Sequence, residues 1–349
     1  MSKNYFQRIN EQTETRLWIN NPNKEEVQKA LGIGAVNCTS NPAYASKLLQ
    51  NEPEYINKVI DEVILEENDC EKAAPIVYQR IVARVIDMFM PLYKESGGEM
   101  GFVTIQDDPR DDDNGDATIK SVLRNREKLG KNCMAKIPVI PGSLKALGLC
   151  VEKNIPICAT EVFSISQAIH MCEIHKTAVK RTGNHPPFYL THITGIFDEY
   201  LKKTVDREGI EISPEILGQA GCIVARKQYR IMKERGYKAI MLGGGARELK
   251  HFTGVVGGNA HITINWSTAA ELIEEDMPVE SKIGIEAPAE VVEELLTKLP
   301  DFKKAYEEDG LNVDEFAQYG PVQLFRNSFL NGWYTLLAAI AKRKHLYAL

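Results

Sequence analysis

A chain of 349 residues, 44% hydrophobic and 26% charged, has the make-up of an ordinary globular protein with material for a large core. Its net charge of −6, with acidic and basic residues intermixed, leaves no electrostatic footprint for nucleic acid. No apolar run approaches the roughly 20 residues a membrane span needs, MSKNYFQRINEQTETR lacks the apolar core of a signal peptide, and no lipidation signal is evident, so neither a membrane nor a secretory route is expected.

In chain order, a short apolar run at 17–20 reads as a first strand, 25–31 as a helix and 35–39 as a second strand. Residues 42–98 then hold two or three helices, with a long helical stretch over 53–95. A third strand at 101–107, a helix at 118–129, a fourth strand at 133–137 and a helix at 143–153 restore the alternation. A strand at 155–160, a helix at 164–182, a strand at 188–191 and a helix at 213–236 follow. A strand at 239–242, a helix at 246–252, a strand at 261–265 and a helix at 267–275 complete the series. Ser164 and Ser213-Pro214 are good helix starts, because a serine oxygen accepts from an orphan N–H and proline at the first position sacrifices no donor.

Eight strands alternating with helices argue for an α/β fold, a parallel sheet closed as a (β/α)8 TIM barrel with extra helices after the second strand and at the C-terminus. An open doubly wound sheet is the rival, but no Gly-rich loop follows the first strand. Residues 1–349 are read as a single barrel domain, with 285–349 a C-terminal helical extension. Its apolar stretch 333–341, ending in Lys342-Arg343-Lys344, packs on the barrel or on a sister subunit of a homo-oligomer; packing within the chain is the simpler expectation. Seven cysteines (Cys38, Cys70, Cys133, Cys150, Cys158, Cys172, Cys222) show no CxxC spacing and read as buried free thiols of a reducing compartment, the cytoplasm.

In such barrels the C-terminal strand ends form the active site. Collected here, those ends give Asn20, Thr39 with Asn41, Thr104 with Gln106, Lys136, Thr160, Thr191 and Arg247. Lys136 lies in CMAKIPVIPG, at the end of an apolar run. Withdrawal from water disfavours its charged form and lowers its pKa. A neutral amine can attack a ketone to form a Schiff base. The hydroxyl-rich and amide-rich ring around it suits a polyhydroxylated substrate, a sugar or sugar phosphate.

Four strings carry a family resemblance. CTSNPAY after the second strand resembles the TSNP or TTNP segment of transaldolases, and VTIQDDPR their third-strand segment. AKIPVIPGSLKAL resembles the Schiff-base strand and its helix, and IPICATEVFSISQA the next strand and helix. Order and spacing agree from about residue 17 to 277, so the chain resembles the transaldolase and fructose-6-phosphate aldolase group, whose fold is a (β/α)8 barrel. The resemblance implies that Lys136 is the Schiff-base lysine and that Thr39 and Asn41 hold substrate hydroxyls. Thr104 and Thr160 would line the pocket and position water, with Thr191 in place of a usual serine. It implies no metal or organic cofactor.

The departures are informative. Asn20 stands where transaldolases carry an aspartate that removes the hydroxyl proton as the carbon–carbon bond breaks, and Gln106 where they carry a catalytic glutamate. The aldolase branch also tends to have Gln there, with a tyrosine on the sixth strand that matches Ile193 here. Of two phosphate-binding arginines, one falls on Ile196 and the other is kept as Arg247. Next to Arg247, Gly243-Gly244-Gly245 followed by a helical start offers an anion site or, more plainly, a tight strand-to-helix turn.

Strand alternation selects replacements for the missing acids. Asp108 shares the side of Thr104 and Gln106, and Tyr189 that of Thr191. His192 and Glu161 face away unless the strand ends curl. Asp108 reads more simply as a cap or a partner of Arg110, and Tyr189 as barrel filling. His192 is a further acid–base candidate, since imidazole titrates near neutral pH. The acidic run from Asp107 to Asp116 lacks the ligand spacing of a calcium loop, the histidines show no paired ligand spacing, and Cys133 and Cys158 read as small hydrophobes lining the barrel.

Overall fold

The computed structural model of the protein describes residues 3–347. Eight parallel strands close in sequence order: β1 (Arg16–Asn20), β2 (Asn37–Thr39), β3 (Val103–Ile105), β4 (Cys133–Pro138), β5 (Ile157–Thr160), β6 (Phe188–Ile193), β7 (Ile240–Gly244) and β8 (Ala260–Ile264). β8 pairs with β1 through Arg16–His261 to Ile19–Ile264, and this seam makes the sheet a (β/α)8 barrel.

Two side-chain layers inside the barrel place the site. Trp18, Val36, Phe102, Met134, Cys158, Tyr189 and Leu242 pack together as a buried apolar plug. Trp18 stands edge-on to Tyr189 with centroids 4.6 Å apart and donates from Nε1 to His261 Nδ1 at 2.8 Å. Two residues further along the same strands come Asn20, Thr104, Lys136, Thr160 and Thr191. With a side-chain period of two, a strand that fills the plug must present its next inward residue to the mouth. Tyr189 is thus barrel filling, not an acid–base group at the mouth. Cys133 corrects an expectation: it belongs to the outer core under the helices, while Cys158 does line the barrel.

The segment between β2 and β3 folds into three helices, Ala43–Asn51, Pro53–Glu66 and Cys70–Glu95, the long stretch being interrupted where Asp69 caps the third by accepting from Glu71 N and Lys72 N. The span expected as one helix at 213–236 is two, Pro214–Leu217 and Ala220–Glu234. The helix expected at 246–252 shrinks to Lys250–Thr253. Two helices carried no expectation: Tyr5–Gln12, closed by a capping box between Asn4 and Gln7, and Thr194–Glu208, which leaves β6 with no side-chain cap.

The helix Gly320–Tyr347 packs against all three helices of the β2–β3 insertion and against Thr194–Glu208. Trp333, Leu336 and Ile340 are fully buried, Trp333 standing edge-on to Tyr78 at 5.8 Å. Gly332 permits the closest approach, since a Cβ there would lie 2.7 Å from Ala43 Cα. The near end of this helix reaches over the barrel mouth. Among the described residues, no helix is long and apolar enough to cross a membrane.

Candidate active site

A cavity of about 170 Å³ opens at the C-terminal ends of the strands. Its walls carry Asn20, Thr39, Asn41, Lys136, Thr160, Thr191 and Arg247, so seven of the nine site residues expected from sequence meet in one space. Asn21, Thr263, Ile193 and Gly244 complete the barrel side, and Phe325, Ser328 and Phe329 of the helix Gly320–Tyr347 form the roof.

Lys136 projects from the middle of β4 and is only 7% exposed. Its Nζ donates to Ser40 O at 3.3 Å and lies 5.4 Å from the centroid of the Phe329 ring. Burial pulls its pKa below the usual lysine range, and the nearby charges of Glu161 and Asp112 oppose that pull. The lowered value keeps more of the amine in its nucleophilic form.

The opposite wall is a chain of neutral hydrogen bonds. Thr39 Oγ1 donates to Asn20 Oδ1 at 2.9 Å and shares a 2.7 Å bond with Thr263 Oγ1; Asn20 Nδ2 donates to Asn265 Oδ1 at 2.9 Å. Asn21, in the left-handed region at φ 44°, donates from Nδ2 to Asn41 Oδ1 and accepts from Asn41 N. This places the Asn41 amide on the wall at a fixed angle.

The remaining two expected residues sit behind the wall. Thr104 Oγ1 accepts from Ser40 N at 3.0 Å and donates to Ser40 O at 3.3 Å, so it ties β3 to the β2 loop and does not line the cavity. Gln106 is buried, and its Nε2 donates to Glu161 Oε1 at 3.1 Å. Gln106 Oε1, Glu161 Oε2, Thr160 Oγ1 and Thr191 Oγ1 are buried with no partner in the protein. Buried polar groups are normally satisfied, so these four unpaired atoms near the C-terminal ends of the strands mark a place built for something polar.

The acid–base candidates resolve on geometry. Asp108 holds Arg110 through both carboxylate oxygens and starts a short turn, away from the cavity. His192 turns outward to Gln228 Oε1 at 3.0 Å, and burial drives its pKa down to about 4, so it is neutral at pH 7 and remote from the amine. Glu161 does the reverse. Alternation assigned it to the outer face, but its φ of 60° curls the strand end and leaves the side chain completely buried against Gln106. Burial lifts its pKa to about 7, and Gln106, Lys136 and Arg326 pull the other way. An acidic residue directly after the apolar run ICAT was the one sequence signal for it.

The glycine run makes a tight turn. Gly245 has φ 67°, and the N–H groups of Arg247 and Glu248 both donate to His251 Nδ1 at 3.0 Å. His251 Nε2 in turn meets Asp198 Oδ2 at 2.9 Å. Arg247 Nε donates to Glu199 at 2.9 Å, and Ile196 is buried beside the turn. Three donors of this turn, Arg247 N, Glu248 N and Arg247 Nε, are therefore engaged within the protein. Among the described residues, no cluster of His, Cys, Asp and Glu could hold a metal ion.

Residues 17–318 match the family model described as transaldolase/fructose-6-phosphate aldolase. A transaldolase of Trichodesmium erythraeum is 25% identical over 257 residues, covering 65% of this chain and 66% of its own length. A transaldolase of Mycobacterium tuberculosis is 25% identical over 206 residues, 57% of this chain and 55% of its own. A transaldolase of Campylobacter jejuni is 28% identical over 148 residues, 41% of this chain and 43% of its own. The matched region thus spans from 43% to 66% of the length of these relatives.

Proposed function

From its membership of the transaldolase/fructose-6-phosphate aldolase family, to which the chain belongs, we propose that this protein forms a Schiff base between Lys136 and a ketose and transfers or releases a dihydroxyacetone unit. One observation carries the reading: a desolvated lysine amine with a lowered pKa at the floor of a cavity walled by neutral amides and hydroxyls.

The amine attacks the ketone carbon to give a carbinolamine, which loses water to become an iminium. The C3–C4 bond then breaks, its electron pair flowing into the iminium to leave an enamine, while a base, water where the wall offers only amides, takes the C4 hydroxyl proton and an aldehyde departs. The enamine adds to an acceptor aldehyde in a transaldolase, or is protonated and hydrolysed in an aldolase. The iminium is itself the electron sink, so the chemistry requires no metal or organic cofactor.

The Asn41 amide and the Thr39–Asn20 chain are suited to hold hydroxyls of the three-carbon unit, and Thr160 and Thr191 bring unpaired hydroxyls to the amine. Arg247 remains on the cavity wall as the group for a charged distal end, but its bond to Glu199 and the neighbouring Ile196 favour a ketose with a short or uncharged end over a sugar phosphate. The seven unpaired cysteines support a cytoplasmic setting.

A second reading draws on one specific feature. Amides at Asn20 and Gln106 accept no proton at neutral pH, which favours a barrel that binds a sugar and turns it over poorly. Borohydride trapping separates the two. With dihydroxyacetone or fructose 6-phosphate, reduction should leave a three-carbon adduct on the Lys136 peptide and none in Lys136→Met. Absence of an adduct with every ketose tried would favour the binding barrel.

A further inference from the structure

The family's proton-handling carboxylates are amides in this chain, yet a carboxyl group is present in the polar cluster. Glu161 follows Thr160 at the end of β5, where regular alternation would turn it toward the helices. Its left-handed backbone, at φ 60°, brings it back. That turn is held in place: Gln167 Nε2 donates to both Glu161 O and Val139 O at 3.0 Å. Non-glycine residues avoid this conformation, so a reason for keeping it belongs to the side chain.

That side chain is 0% exposed. Gln106 Nε2 fixes Oε1, while Oε2 is unpaired, as are Gln106 Oε1 and Thr160 Oγ1. These orphan atoms lie at or just beyond the C-terminal ends of β3 and β5, the two strands that flank Lys136 on β4. Charged groups face Glu161 from three neighbouring elements. Lys136 of β4 and Arg326 of the C-terminal helix favour its anion; Asp112 and Asp113, from the loop after β3, disfavour it. Arg326 is shared, since its Nη2 bonds Asp113 at 2.8 Å.

We propose that Glu161 is the proton donor and acceptor for Schiff-base chemistry at Lys136, a part that the Gln106 amide cannot play. The inference rests on the Schiff-base reading above. In the carbinolamine, the nitrogen lone pair forms the C=N bond as the C–O bond breaks, and the departing oxygen takes the Glu161 proton. Iminium, water and the Glu161 carboxylate result. In release, water adds to the iminium carbon and gives a proton to that carboxylate, regenerating the carbinolamine and the acid. Gln106 positions the carboxyl throughout.

A carboxyl whose burial lifts its pKa to about 7 is suited to both directions near neutrality. The acid form is needed for iminium formation, so the rate falls as pH rises through about 7. The neutral amine is needed as nucleophile, so the rate also falls at low pH.

The test is the pH dependence of the rate of borohydride-trappable adduct formation with dihydroxyacetone, in wild type and Glu161→Gln. At pH 6.5 the variant should be slower by about 10²–10⁴-fold and should lack the alkaline limb. A variant that traps within about threefold of wild type, with the limb retained, would overturn the proposal while leaving Lys136 chemistry intact. Failure of wild type to trap any ketose would overturn the Schiff-base reading, and this inference with it. Should Glu161→Gln not fold, Glu161→Asp carries the test. It keeps an acid on a shorter stem, so a slower rate with a displaced alkaline limb supports the role, and an unaltered rate and limb contradict it.

Discussion

Under the proposed mechanism Asn20 occupies the wall position where a carboxylate would take the C4 hydroxyl proton, and its two hydrogen bonds show what a replacement must satisfy. Asn20→Asp keeps an acceptor for Thr39 Oγ1 but loses the donor to Asn265 Oδ1; the Asn265 amide can turn to present its N–H2 instead. Cleavage of a ketose, followed by aldehyde release, should therefore rise at least about tenfold in Asn20→Asp, within the roughly 10²–10⁴ a positioned base contributes. An unchanged or lower rate would show that this wall is not where the proton leaves. At this scale the sequence was legible wherever strands stay regular. Lys136, Thr160 and Thr191 all fall two residues beyond plug residues, so alternation alone aims them correctly. Glu161 escaped because a single left-handed residue breaks the alternation, and no local residue type announces it.

The roof helix Gly320–Tyr347 is tied down beside the cavity by Arg326, which pairs with Asp113 at 2.8 Å and approaches buried Asp112 at 3.9 Å. Phe329, 1% exposed, covers the Lys136 amine on that side, its ring centroid 5.4 Å from Nζ. Phe329→Ala should destabilise the protein by about 3–5 kcal/mol, as large aromatic truncations in cores do. It should also raise the pKa of Lys136, because desolvation is the main cause of its depression and hydration reverses it. The acid limb of the rate profile then moves to higher pH, measurable in the same trapping assay. The parallel strands were legible as short, almost wholly apolar runs. The helix Thr194–Glu208 was not: it starts from Ile193 directly out of β6, without the capping residue that would mark a boundary. Nor could spacing along the chain reveal that a helix more than 180 residues beyond Lys136 closes the site, since that contact is set by packing against Ala43–Asn51 and its neighbours.

The stability of the whole molecule should carry the imprint of its sealed interior. His261 is held neutral under the Trp18 indole, and burial lowers its pKa from 6.5 to about 3. Because the folded value is depressed, the unfolded chain binds a proton that the native one refuses, so this contribution is intact above pH 6.5 and is lost as pH falls toward 3. Relative to His261→Asn, which retains an acceptor for Trp18, wild type should lose about 2 kcal/mol between pH 6.5 and 5, read from urea unfolding at both pH values. A difference independent of pH would mean that the ring binds its proton equally well in the native and unfolded states.

The roof also has a consequence for biosynthesis. The eight strands, with Lys136 among them, lie within residues 16–264, whereas Phe325 and Phe329 follow some sixty residues later. A chain that had closed its sheet but not yet docked these rings would leave the cavity without its roof. Under the proposed function, covalent capture of a sugar would thus depend on a helix far along the chain from its nucleophile.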